Sequence, residues 1–112
     1  YPTSPMVRDF ELLADAGAII VNGSQAHTPK VMTFYNDAFL HFGLGNLFFD
    51  QMDMLETRQE FIDRLIFYDG KLVSVELLTA MLEEYARPRP MIESEREAFL
   101  ARIFSAANNF LE

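Results

Sequence analysis

The stretch from Gln59 to Leu78 constrains the fold more than any other part of the chain. Two apolar runs are joined there by Asp69-Gly70, and a dipeptide of this kind marks a tight hairpin because both residues tolerate the positive φ such a turn requires. A two-residue turn pairs Phe67 with Leu72, Leu65 with Ser74, Asp63 with Glu76 and Phe61 with Leu78 on one face. The other face pairs Ile66 with Val73, Arg64 with Val75 and Ile62 with Leu77. Apolar pairs occupy both faces, and a two-stranded ribbon cannot bury them alone. Each side therefore needs a cover, and the Asp63–Glu76 pair needs solvent or a β-bulge to relieve its repulsion. A helix competes for the first run, because Phe61, Ile62, Leu65 and Ile66 fit helical spacing and Thr57 with Glu60 would make a capping box. The Asp-Gly turn and the β-rich residues after it favour a hairpin of Gln59–Tyr68 with Lys71–Leu78.

Upstream, Ser4-Pro5 reads as the cap and first residue of a helix whose stripe is Met6, Phe10, Leu13, Ala14 and Gly17, with Gly17 as its stop. Ala18 to Val21 is an apolar run too short for a helix, as expected of a strand buried on both faces. Lys30 to Tyr35 and Ala38 to Phe42 read as a second hairpin around Asn36-Asp37, with the latter strand internal. Phe48 to Glu56 reads as an irregular loop or a short turn of helix. Met81 to Tyr85 reads as a short extended or helical piece, and Arg87-Pro-Arg-Pro90 as irregular, because each proline restrains itself and its predecessor. Ser94-Glu-Arg-Glu97 is a capping box opening a last helix with Leu100, Ile103, Phe104 and Ala107 on one face. The fold class is α/β, or α+β within these residues alone: two β-hairpins and flanking helices in one domain over 1–112.

Composition narrows the function. Half the residues are hydrophobic and 23% charged, a globular balance. A net charge of −8 argues against nucleic acid and against adhesion to an anionic membrane surface. The chain has no cysteine, which excludes disulfides and thiolate metal sites. No apolar stretch reaches the length needed to span a bilayer.

Two segments carry the strongest indication of function. Gly17-Ala-Ile-Ile-Val-Asn-Gly-Ser-Gln-Ala-His27 runs from a strand into a polar loop, and Gly43-Leu-Gly-Asn-Leu-Phe-Phe-Asp-Gln51 follows the next apolar run. Loops leaving strand ends are where α/β proteins place ligands and metals. Together these segments resemble the carboxy-terminal part of the CapA family, the poly-γ-glutamate capsule proteins with a metallophosphatase-like fold. In that family a Gly-His-x-Pro-His loop is followed by Ser-Leu-Gly-Asn-Phe-x-Phe-Asp. Glu56-Thr-Arg58, Asp69-Gly70 and Tyr85-Ala-Arg-Pro-Arg-Pro90 resemble the family's tail as well, so the likeness covers almost the whole chain.

The resemblance implies a metallophosphatase-like sandwich, capsule or envelope polymer metabolism, a cell-envelope or extracellular location, and a divalent metal ion in the full-length parent. It also implies that this chain, which begins at Tyr1, is the last portion of a larger domain. Its first partner would then be the upstream part of that domain, with self-association through an apolar face as another expectation.

By position, His27 matches the last histidine of the family's loop and is the candidate metal ligand. Ser24 stands where the first histidine would be and Ala26 where the proline would be, so one imidazole is offered where the family has two. Ser24, Gln25, Asn46 and Asp50 are candidates for substrate binding. Taken without the resemblance, a lone loop histidine such as His27 is more often a hydrogen-bonded structural residue, and Asn46 and Asp50 are loop staples. His41, flanked by Leu40 and Phe42, reads as a core residue where an aromatic would serve as well. Phe48 and Phe49 read as core. Arg87 and Arg89 read as surface residues whose stems cover apolar area, or as an anion site. A non-catalytic interaction module with an acidic surface is the competing functional class.

Overall fold

The computed structural model describes residues 1–47, 49, 51–84 and 87–111, without the side chains of 110 and 111. Among these residues the fold is mixed α/β, with three helices and two three-stranded sheets.

Helix α1 spans Ser4–Asp15. Its cap is Thr3, one residue earlier than expected, whose side chain accepts a hydrogen bond from the Met6 amide at 3.3 Å. The helix ends where Gly17 takes φ +115°, which lets Gly17 N–H reach the Ala14 carbonyl and Ala18 N–H the Leu13 carbonyl, both at 3.0 Å. Met6, Val7, Phe10 and Ala14 face the core. Leu13, expected in that stripe, is exposed, and Val7 packs in the stripe instead.

The first sheet contains β1 (Ile20–Asn22), β2 (Met32–Tyr35) and β3 (Ala38–His41), in the order β1-β3-β2. Asn36 and Asp37 both take left-handed φ, 45° and 67°, and close the β2–β3 hairpin as the sequence indicated. The internal strand β3 is buried at every position. Its alternate side chains divide its faces: Ala38 and Leu40 pack in the cluster that meets α1, whereas Phe39 and His41 turn to the rings on the other side. Strand β1 pairs with β3 in parallel. It does not have the two buried faces expected of Ala18–Val21: Val21 alone is buried and Ile19 is exposed, because β1 is an edge strand packed on one face. Immediately after β1, a β-carbon on Gly23 would stand 2.0 Å from the Phe42 carbonyl oxygen, so the chain passes there only as glycine.

The short helix α2 (Leu55–Arg58) leads into the second sheet, built from β4 (Gln59–Tyr68), β5 (Lys71–Glu83) and β6 (Arg87–Pro90) in that order, all antiparallel. Asp69 and Gly70 close the β4–β5 hairpin at φ 52° and 74°. The pairing follows the expected register only to Phe67–Leu72. A bulge then slides β5 by one residue, so that Asp63 faces Leu77 and Arg64 faces Glu76, with an N–O distance of 3.0 Å. The bulge replaces a like-charge pair with an ion pair.

Strand β5 runs on to Glu83, and Arg87–Pro90 forms an edge strand, not the irregular segment expected. Both prolines occupy the same alternating set of positions. The other set continues to Met91, whose N–H donates to the Thr79 carbonyl at 3.1 Å, so an edge strand loses nothing inward by carrying prolines.

Helix α3 spans Glu93–Leu111. Glu95, not Ser94, caps it, accepting the Ile92 amide at 3.0 Å. Its buried face is Phe99, Ile103 and Ala107, while Phe104, expected in the core, is exposed. Phe99 and Ile103 pack with Phe61 of the second sheet, and Ala107 packs with Val21, Val31 and Leu40 of the first. One helix therefore serves both cores. Phe99→Ala should cost about 3–5 kcal/mol in urea unfolding, and a loss below about 1 kcal/mol would show that α3 does not hold the sheets together.

Candidate functional site

Because β1 and β3 are parallel, the loops that follow them leave the same end of the sheet. His27 lies in the first loop and Asn46 in the second, and the two side chains meet at 2.9 Å, from His27 Nδ1 to Asn46 Oδ1. The local chain explains the approach. Lys30 N–H donates to the Gly43 carbonyl at 3.0 Å, and Pro29 bridges to Leu44, so the loops are laced together beside the site. Gly45 takes φ +88° and lies on the start of β4, where a β-carbon would come within 2.5 Å of the Gln59 carbonyl oxygen.

The protonation pattern of this pair follows from its partners. Asn46 Nδ2 donates to the Thr57 backbone carbonyl at 3.1 Å and to Gln51 Oε1 at 3.0 Å. A backbone carbonyl can only accept, which fixes the amide's orientation and leaves Oδ1 facing the histidine. His27 Nδ1 must then carry a proton. Nε2 is the nitrogen left to accept a proton or a metal ion. Thr57 completes the loop, its hydroxyl lying 2.8 Å from the Gln51 carbonyl and 2.9 Å from that of Met54. Asn46 is thus a staple and an orienting group at once.

His27 and Phe49 rings lie 4.9 Å apart at 50°, and both residues are exposed. Phe49 is therefore a wall of the site and not the core residue expected. Ser24 and Gln25 are exposed on the His27 loop and hydrogen-bond to neither His27 nor Asn46. Asp50 and Phe48 lie outside the described residues. Among the described residues no three His, Asp or Glu side chains gather as a metal-binding group. One imidazole with the correct free nitrogen and an oxygen acceptor behind it suits a single metal ligand. It does not make a complete metal site.

The interior holds polar groups that sequence reasoning missed. His41 is buried as expected, between Phe39 and Phe61 at 5.8 and 4.9 Å. It does more than fill space, however: Nδ1 lies 2.5 Å from Asp63 Oδ2 and ties the first sheet to the second. His41 Nε2 and Asp63 Oδ1 are buried without a hydrogen-bond partner. The signal available in sequence was an acid on the inward-facing set of β4, between Phe61 and Leu65. On the opposite face, Glu60 is 1% exposed and neither carboxylate oxygen has a partner. Burial pushes its carboxyl up from 4.5 to about 7. Arg89 beside Glu95 has the contrary effect, holding that carboxyl at about 2.

These two carboxyls act in separate windows. Glu60 is easier to ionise in the unfolded chain, so its burial stabilises nothing extra below about pH 4.5 and penalises the fold increasingly up to about pH 7. The accumulated loss is on the order of 3 kcal/mol. Glu95 favours the fold above about pH 4.5 and loses that contribution as pH falls toward 2. Glu60→Gln should flatten the decline in unfolding free energy between pH 5 and 7. An unchanged slope would show that the Glu60 carboxyl is not held neutral.

No protein-family model matches the chain, and no curated protein matches it.

Proposed function

We propose that the chain is the carboxy-terminal part of a CapA-like protein, acting in poly-γ-glutamate capsule or related envelope polymer metabolism at the cell envelope or outside the cell. In this reading the full-length protein carries out metal-assisted hydrolysis or transfer at a phosphate or amide centre. The observation that supports it best is the His27–Asn46 hydrogen bond. The two segments that carry the resemblance are separate in sequence, and their polar residues meet at one strand end. The bond orients the imidazole and selects its tautomer, as an outer-shell acceptor does for a ligating or proton-transferring histidine.

A divalent cation in the full-length protein would supply Lewis-acid polarisation of the phosphoryl or carbonyl oxygen. His27 is the residue of this chain suited to hold it, through Nε2, with the other ligands coming from the upstream part of the domain. Asn46 keeps the ring in place, and Phe49 shields one side of it from water. The candidate roles of Ser24, Gln25 and Asp50 in binding substrate belong to the same proposal.

A non-catalytic interaction module is the second reading. It is favoured by the hairpin tip, where Ile66, Phe67, Tyr68 and Val73 are all exposed.

The test is hydrolysis of a phosphomonoester and of a γ-linked glutamate polymer by the full-length protein carrying this chain, with a divalent cation supplied. His27→Ala should lower activity by about 100-fold or more, with a melting temperature within about 2 °C of the parent. Equal activity in the two proteins removes the catalytic reading. Self-association in sedimentation, reduced by Phe67→Ser, would then support the interaction module.

A further inference from the structure

The geometry points to a second site: a cleft between the Pro29–Val31 segment and α3 that binds a small anion, a carboxylate or a phosphate, through Lys30 and Arg102. The inference is independent of the His27 reading, since a chain without catalytic activity could bind an anion equally well.

The charge balance carries the first step. The chain has 17 acidic residues against 9 Lys and Arg, so a concave surface that gathers cations without an acid runs against its overall charge. Arg64 pairs with Glu76, Arg87 with Glu83 and Glu84, and Arg89 with Glu83 and Glu95. Lys30 and Arg102, like Arg8, Arg58, Lys71 and Arg96, have no carboxylate within ion-pair distance among the described residues, and what sets these two apart is the surface they share. Both line one cleft of about 390 Å³, and no Asp or Glu lines it with them. In so acidic a chain, a concave surface with two cations and no acid attracts an anion where most of the surface repels it.

The second step is preorganisation. Arg102 Nη2 donates to Gln59 Oε1 at 2.6 Å, and its guanidinium carbon lies 5.5 Å from the centre of the Phe99 ring. The fork is thus held by a neutral acceptor and an aromatic face, which leaves its charge uncompensated and its other N–H groups available. The stem of Lys30 packs against Gly43: a β-carbon on that glycine would lie 3.1 Å from Lys30 Cγ. Ser105 and Asn109 follow Arg102 at three and seven residues along α3, on the same helix face, and add neutral hydrogen-bonding groups to the rim. Val31 and Ile103 are buried beneath. A polar, cationic rim over an apolar floor suits a small anion with a short apolar body.

The test follows amide chemical shifts of the chain during titration with inorganic phosphate and, separately, with glutarate, at constant ionic strength set by potassium chloride. Saturable shifts at residues 30–31 and 102–109 are expected with at least one of them. Saturation by phosphate alone identifies a phosphate site, and saturation by glutarate alone a carboxylate site. Arg102→Gln and Lys30→Gln should each weaken binding by about tenfold. The parent's remaining peaks serve as the check on folding, and Lys30→Gln stands alone if the arginine variant is unfolded. Absence of saturable shifts with either anion up to about 20 mM, or affinities unaltered in the folded variants, overturns the proposal.

Discussion

Neither sheet can bury its apolar residues by itself, and the architecture follows from the way α3 meets that constraint. The first sheet is covered by α1 on one face, but its cluster of Val21, Val31 and Leu40 also includes Ala107 of α3. The second sheet presents Phe61 to Phe99 and Ile103, about two turns and one turn earlier on the same helix. Helix α3 is pinned to the second sheet by polar contacts as well: Arg96 donates to the Leu77 carbonyl at 2.7 Å, and Arg89 reaches Glu95 at 2.7 Å. These contacts set the helix's position along β5 and β6, and the apolar face then sets the spacing of the two cores. The tip of the β4–β5 hairpin extends beyond this cover, which is why its apolar residues remain exposed.

The interior of the protein carries polar groups that a purely apolar one would not need. The His41–Asp63 bond and the unpartnered Glu60 carboxyl lie on opposite faces of β4. A buried pair of this kind adds little net stability relative to apolar replacements, but breaking it is costly because one polar group is left stranded. Its effect is specific placement of β3 against β4. That placement matters for the candidate site, because the loop bearing Asn46 starts at the end of β3 and lies on the start of β4.

What could be read from sequence was what local chemistry decides. Asp69-Gly70 and Asn36-Asp37 announced their turns because few other residues accept φ above zero at consecutive positions. The repulsion between Asp63 and Glu76 in simple pairing foretold a bulge, although not its position. Errors arose where a partner distant in sequence decides the outcome. Arg87-Pro-Arg-Pro90 becomes a strand only because β5 extends far enough to pair with it. Phe104 and Leu13 lost their expected burial to Phe99 and Val7, since helical spacing alone does not say which of two adjacent stripes meets the core. An acid on the inward-facing set of β4 singled out Asp63, but its meeting with His41 depends on how the two sheets pack. His27 and Asn46 could be singled out as candidates, but the bond between them depends on two loops leaving the same end of a parallel pair.

Asn46 fixes the His27 ring with its proton on Nδ1, which leaves Nε2 free to accept a proton or a metal ion. Nitrogen-15 chemical shifts of the histidine side chains, recorded above the imidazole titration, test it most directly. His27 should be predominantly the Nδ1–H tautomer in the parent chain and should revert toward the Nε2–H form favoured by free histidine in a folded Asn46→Leu variant. A parent His27 already in the Nε2–H form, or a tautomer indifferent to the loss of Asn46, would contradict it.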